Sequence, residues 1–155
     1  MGRLTTFLKM KRWQKEYKKM AEMRFEVGDS KTKKTYGKSM ENYFLTGKKI
    51  GDVVEGQLLG LPNYQLKIRG GSDTAGFPMR QDIEGPGRKR IVFKSKTVGF
   101  KQKKRKIQHK QNHYFMTKRK SIRGNTISQF TKQINLSVVK HGEKPIAELW
   151  NIIEK

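Results

Sequence analysis

The sequence predicts a mainly β protein: a small barrel-like domain with a basic extended tail and short terminal helices. Three observations carry this reading. Apolar residues alternate in short runs, glycines punctuate those runs, and the charge map separates a balanced segment from a strongly cationic one. Alternation of period two marks half-buried strands, and many short strands with frequent Gly favour a small barrel over a helical domain.

The elements follow in chain order. Residues 3–23 read as a helix, because Phe7, Met10, Trp13, Tyr17 and Met20 recur at spacings of three or four with lysines between them. The pattern describes a basic amphipathic extension over residues 1–23 that packs on a neighbour; a membrane-surface helix is the second reading. Residues 25–29 form a first strand, and residues 39–45 make one or two helical turns before Gly47. Residues 50–60 give two short strands or one bent strand. In residues 64–69 the alternation is clean: Tyr64, Leu66 and Ile68 face one way, Gln65, Lys67 and Arg69 the other. Residues 90–94 form another strand, and Ile134, Leu136 and Val138 alternate in a late one. Pro145 stands at the start of a short helix marked by Ile146, Leu149, Trp150 and Ile153. The organisation is thus an extension (1–23), a β-barrel core (24–98), a basic segment (99–123), and a final strand with a short helix (124–155).

Charge says what the chain meets. Residues 1–24 hold eight basic and two acidic residues, and residues 25–84 hold nine and eight. Residues 85–142 hold 17 Lys or Arg and no Asp or Glu, within a net charge of +23 for the chain of 155 residues. A large single-sign field repels itself and is tolerated when an outside partner neutralises it. The fitting partner is a polyphosphate backbone.

Other functions fare poorly. The chain has no cysteine, which removes disulfides, thiolate chemistry and cysteine-based zinc sites. No apolar run approaches the roughly 20 residues that span a bilayer, and residues 4–8 are too short for a secretory core. The cytoplasm is the simplest compartment. His109 and His113 share a helical spacing without a nearby carboxylate, which favours solvated or RNA-facing histidines over a metal site. Asp29, Asp52, Asp73 and Asp82 are scattered, with no pairing that suits acid–base catalysis. No Gly-rich piece ends in the Gly-Lys-Ser/Thr of a phosphate-binding loop. The sequence describes a protein that is not an enzyme, takes no cofactor or metal, and has no small-molecule substrate or membrane partner.

The densest local signal is Gly70-Gly71-Ser72-Asp73, followed by Gly76-Phe77-Pro78-Met79-Arg80. Adjacent glycines with a Ser-Asp pair predict a sharp turn, since Gly tolerates positive φ and Asp closes an Asx turn. Such a loop sets Arg80 beside the face that carries Arg69.

These motifs resemble the signature of the archaeal and eukaryotic-type sixth small-subunit ribosomal protein family. Gly47-Lys48-Lys49-Ile50-Gly51-Asp52, Gly60-Leu61-Pro62-Asn63-Tyr64, Gly85-Pro86-Gly87-Arg88-Lys89-Arg90, Lys118-Arg119-Lys120-Ser121-Ile122-Arg123-Gly124 and Val138-Val139-Lys140-His141-Gly142-Glu143-Lys144 occur in the family's order. The resemblance spans roughly residues 24–146. It implies a six-stranded β-barrel-like domain, a structural role in the small ribosomal subunit, and as partners the small-subunit ribosomal RNA and neighbouring ribosomal proteins. The sequence departs from the family pattern after Gly99-Phe100, where Lys101-Gln102 opens a Lys-rich insert reaching His113-Tyr114-Phe115-Met116, so no contact carries over to residues 101–117. The chain also lacks the long C-terminal helix and serine cluster of eukaryotic members, so their kinase regulation is expected to be absent.

The residues expected to meet RNA are Arg69, Arg80, Arg88, Lys89, Arg90, Lys103, Lys104, Arg105, Lys106, Lys118, Arg119, Lys120 and Arg123. Lys and Arg neutralise phosphates and release condensed counterions, and Arg adds a planar fork for bidentate contact. Phe100, Tyr114 and Phe115 lie among these charges, and either stack on unpaired bases or bury against the barrel. Phosphate contacts position without reading sequence, which predicts shape-directed RNA binding. An RNA chaperone acting free of the ribosome is the alternative.

Overall fold

The computed structural model describes residues 22–41, 44–94, 97–100 and 117–150. The strands are β1 (Glu22–Asp29), β2 (Lys34–Glu41), β3 (Val53–Glu55), β4 (Gln65–Asp73), β5 (Arg88–Phe93), β6 (Lys118–Arg123) and β7 (Thr131–Lys140). A 3-10 turn at Gly56–Leu59 follows β3, and a short helix α1 spans Ile146–Leu149. The expected mainly β fold is borne out. The expected helix over residues 3–23 lies outside the described residues, except that Glu22 and Met23 already belong to β1.

Five strands form one sheet in the order β2-β1-β7-β4-β3, and β5 pairs with β6 alone. Among the described residues neither sheet closes on itself, so the expected six-stranded barrel is not what these strands build. The physical reason is at the edges. β3 is three residues long, and β2 places Lys38 between its inward-leaning Tyr36 and Met40, with the Lys38 ammonium 5.7 Å from the Trp150 ring centroid. Short edges and inward-pointing charges both discourage further pairing.

Burial follows the alternation in the sequence. Met23, Phe25 and Val27 of β1, Leu66 and Ile68 of β4, and Ile134 and Leu136 of β7 turn one face of the sheet into the core. Leu59, Leu61, Ile146 and Trp150 pack with that face in one apolar cluster, and the Trp150 indole N–H donates to the Leu59 carbonyl at 3.0 Å. The opposite face is polar: Arg24 pairs with Glu26 and Arg69 donates to Ser137.

Two local expectations are corrected. Residues 39–41 are strand rather than helix, because β2 pairs residue for residue with β1 from Glu22↔Glu41 to Asp29↔Lys34. Cross-strand packing outweighs the weak local propensity. Gly70 and Gly71 are likewise not a turn but part of β4, where the register against β7 shifts between Ile68 and Gly70. Gly71 is required by proximity: a Cβ there would lie 2.3 Å from the Gln133 carbonyl oxygen. The sharp turn comes later, at Gly76, with φ +79°. The run at residues 50–60 resolves into one short strand and the 3-10 turn.

The parallel pairing of β1 with β7 joins residues more than a hundred positions apart, such as Phe25 and Ile134. It sets the first and last strands side by side in the middle of the sheet.

Candidate nucleic-acid interface

The acid-free stretch folds in part as the β5–β6 ribbon. Its register runs from Arg88↔Arg123 to Phe93↔Lys118, and seven of its twelve residues are Lys or Arg. In an antiparallel pair, opposed residues share a face and successive pairs alternate. The faces therefore differ. Ile122, Phe93 and Ile91 pack with Ile83 and Phe100 in a small apolar cluster. The other face carries Arg90, Val92 and Arg119, all exposed. Lys89, Lys118 and Lys120 are exposed as well, at positions where a long stem reaches water past its apolar neighbours.

One carboxylate ties the ribbon to the main sheet. Asp73, at the end of β4, has a fully buried side chain. Its Oδ1 accepts from the backbone N–H groups of Ala75 at 2.9 Å and Phe77 at 3.0 Å, which closes the Asx turn expected here. Its Oδ2 lies 2.8 Å from Arg88 Nη2 and 3.5 Å from Arg123 Nη1. Burial alone would push this carboxyl up. The hydrogen bonds from Arg88, Phe77 and Ala75, with the Arg88 charge, outweigh that and hold it below the ordinary carboxylate range.

The thirteen cations expected to meet RNA fall into distinct environments. Lys89, Arg90, Lys118, Arg119 and Lys120 stand exposed on the ribbon. Arg88 is half exposed, its guanidinium 4.5 Å from the Phe77 centroid and its fork on Asp73. Arg123 is buried: it donates to the Pro86 carbonyl at 3.2 Å and reaches Asp73, so its charge is spent inside the protein. Arg80 pairs with Asp82 (Nε–Oδ1 2.7 Å) and lies over the Phe93 ring at 5.2 Å. The Arg80 hydrogen bond holds the Asp82 carboxyl below its usual range. Arg69 and Arg80 line a common cavity of about 650 Å³ with Pro78, Gln81 and Asn135, so the two arginines do stand on one face. Lys103, Lys104, Arg105 and Lys106 lie outside the described residues, as do His109, His113, Tyr114 and Phe115.

Of the three aromatics left open by the sequence, Phe100 is settled. It is buried and stacks on Phe93 with centroids 6.1 Å apart, so it supports the ribbon from beneath. Residues missed at the sequence level are Phe77 and Phe130, each carrying an arginine over its ring. Phe77 stands in the Gly76–Arg80 motif, but its role does not show there, because in each case the partner arginine comes from a strand elsewhere in the chain. The packing role of Gly124, the end of a motif in the sequence, is hidden for the same reason: a Cβ there would sit 1.9 Å from the Gly85 carbonyl oxygen, in a contact across 39 residues. Among the described residues no group of three or more His, Asp or Glu is placed to hold a metal ion, and no helix is long and apolar enough to cross a membrane.

Fold and charge together define a class: a small, mainly β protein with a cationic, acid-free ribbon standing on a buried carboxylate. Comparison with known proteins is specific within that class. The family described as ribosomal protein S6e matches residues 21–151. The small ribosomal subunit protein eS6 of Methanocaldococcus jannaschii is 44% identical over 130 residues, covering 84% of this chain and 92% of that protein. Its counterpart from Archaeoglobus fulgidus is 42% identical over 133 residues (83% and 95%), and that from Nanoarchaeum equitans 39% over 134 (86% and 93%). The chain belongs to the ribosomal protein S6e family, as the ordered motifs implied.

Proposed function

We propose that the protein is a non-enzymatic structural constituent of the small ribosomal subunit that binds ribosomal RNA through its basic second half and supports translation in the cytoplasm. The observation that carries this reading is the ribbon: six exposed Lys and Arg on twelve paired residues, with every acid absent from residues 85–142. Family membership supports the small-subunit role. Arg69 and Arg80 extend the cationic surface across the polar face of the main sheet. Arg88 and Arg123 hold the ribbon in place through Asp73, and only the half-exposed Arg88 also presents charge outward. The cations of residues 103–106 add to the phosphate contacts, and residues 1–21, ahead of β1, meet a neighbouring ribosomal protein.

The test is recovery of the chain in assembled small subunits washed at high salt, read by mass spectrometry. Presence in the washed particle supports the proposal. A chain found only in the RNA-bound pool away from ribosomal particles would instead be a free RNA chaperone.

A further inference from the structure

Beside the ribbon stands an aromatic ring that the sheet does not bury. Phe130, the residue before β7, is 51% exposed. Its backbone is held by its carbonyl, which accepts from the Thr74 N–H at 3.0 Å. The buried guanidinium of Arg123 lies 5.3 Å from the ring centroid. Phe130 and Arg123 together line a cavity of about 370 Å³ whose walls also include Pro86, Gly87, Ser128 and Gln129. That volume is near the lower end for small-ligand pockets, about 300–1,000 Å³, and so admits one ring system rather than a duplex.

Three properties of the cavity point the same way. Arg123 is committed to Asp73 and Pro86, so the cavity is not a phosphate seat. Gln129, exposed at the rim of the cavity, carries an amide that both donates and accepts hydrogen bonds. The wall at Gly87 leads directly into Arg88-Lys89-Arg90, so what reaches the cavity arrives along a cationic strand. A partner with a flat ring, hydrogen-bonding edges and a polyanionic chain is single-stranded nucleic acid.

We propose that this cavity seats one unpaired nucleobase of the bound RNA, stacked on Phe130, with Gln129 at its edge. The inference rests on the RNA-binding reading above. Base–aromatic stacking is sequence-tolerant and weakens about 5- to 100-fold on loss of the ring.

The test uses the full chain with Phe130→Ala and Phe130→Trp, and two RNA probes: a mixed-sequence single strand of about ten nucleotides and a blunt duplex of about sixteen base pairs. Phe130→Ala should weaken the single strand about 5- to 100-fold and leave the duplex within about twofold. Its salt dependence should match that of the parent protein, since no phosphate contact is lost, and Phe130→Trp should restore the affinity. Unchanged single-strand affinity in Phe130→Ala overturns the inference. Equal loss on both probes overturns it too, because Phe130 would then be supporting the ribbon. Failure of the parent protein to bind either probe is a different result, which removes the RNA reading itself.

Discussion

The main sheet and the β5–β6 ribbon are both β structure, yet different forces hold them. Among the described residues the sheet buries a cluster of seventeen apolar side chains, whereas the ribbon rests on four. Each buried side chain contributes roughly 1.5–3 kcal/mol, so burial is the larger force in the sheet. The ribbon makes up its shortfall with one carboxylate, Asp73, which fastens an arginine from each of its strands. A surface built to carry charge cannot also be a surface that packs.

The comparison breaks most sharply in the sheet. Phe25→Ala is expected to cost about 3–5 kcal/mol, because the ring is fully buried and the cavity cannot collapse. A urea titration should show a lower midpoint for the whole molecule.

Asp73→Ala comes next, at about 2–3 kcal/mol. That is below the roughly 3–5 kcal/mol typical of a fully buried pair, since the Arg88 side chain is 44% exposed. Here the loss should be local. Hydrogen exchange is expected to quicken at the amides of β5 and β6 while β1 and β7 stay protected. Uniform quickening would mean that the ribbon is not a separate unit.

The same carboxylate gives the ribbon an acid limit. Its folded pKa lies below the unfolded value, so its contribution is present above the unfolded pKa and is lost as pH falls through the folded one. Asp29 behaves alike: burial pushes it up, but hydrogen bonds from Lys31 and Thr32, with the His141 charge, outweigh this. Stability should therefore fall as pH drops through and below the ordinary carboxylate range, about pH 4. Asp73→Asn should flatten that fall in part, leaving the share of Asp29. An unaltered pH profile in Asp73→Asn would remove Asp73 from this account.

The smallest stability effect belongs to the exposed cations. Arg119→Gln should stay within about 0.5 kcal/mol of the parent in urea midpoint. It should nevertheless lower the slope of log RNA affinity against log salt by about 0.7–0.9, the value of one neutralised phosphate. Arg123→Gln should do the reverse, costing stability with little change in slope, because its charge faces Asp73 rather than solvent.

Much of this was legible in the residues. The strand at Tyr64, Leu66 and Ile68 and the late strand through Ile134 and Leu136 follow from alternation, which reports which side of a strand meets water. The Asx turn at Asp73 follows from a short carboxylate three residues before Gly76. Of the cationic ribbon, β5 was legible as the strand at residues 90–94, but β6 was visible only as charge, since Arg119 and Lys120 do not read as a strand until β5 pairs with them. The strand at residues 39–41 was hidden for the same reason.

By itself, the sequence determined the mainly β character, the sign of the surface and the family, because alternation, charge and ordered motifs are local properties of the chain. Tertiary structure alone decided that the sheet is open among the described residues, that Arg123 lies inside while Arg119 lies outside, and that Gly71 and Gly124 admit no side chain. Each of those outcomes depends on residues brought together from distant points of the chain, and a carboxylate's partners are chosen by distance in space.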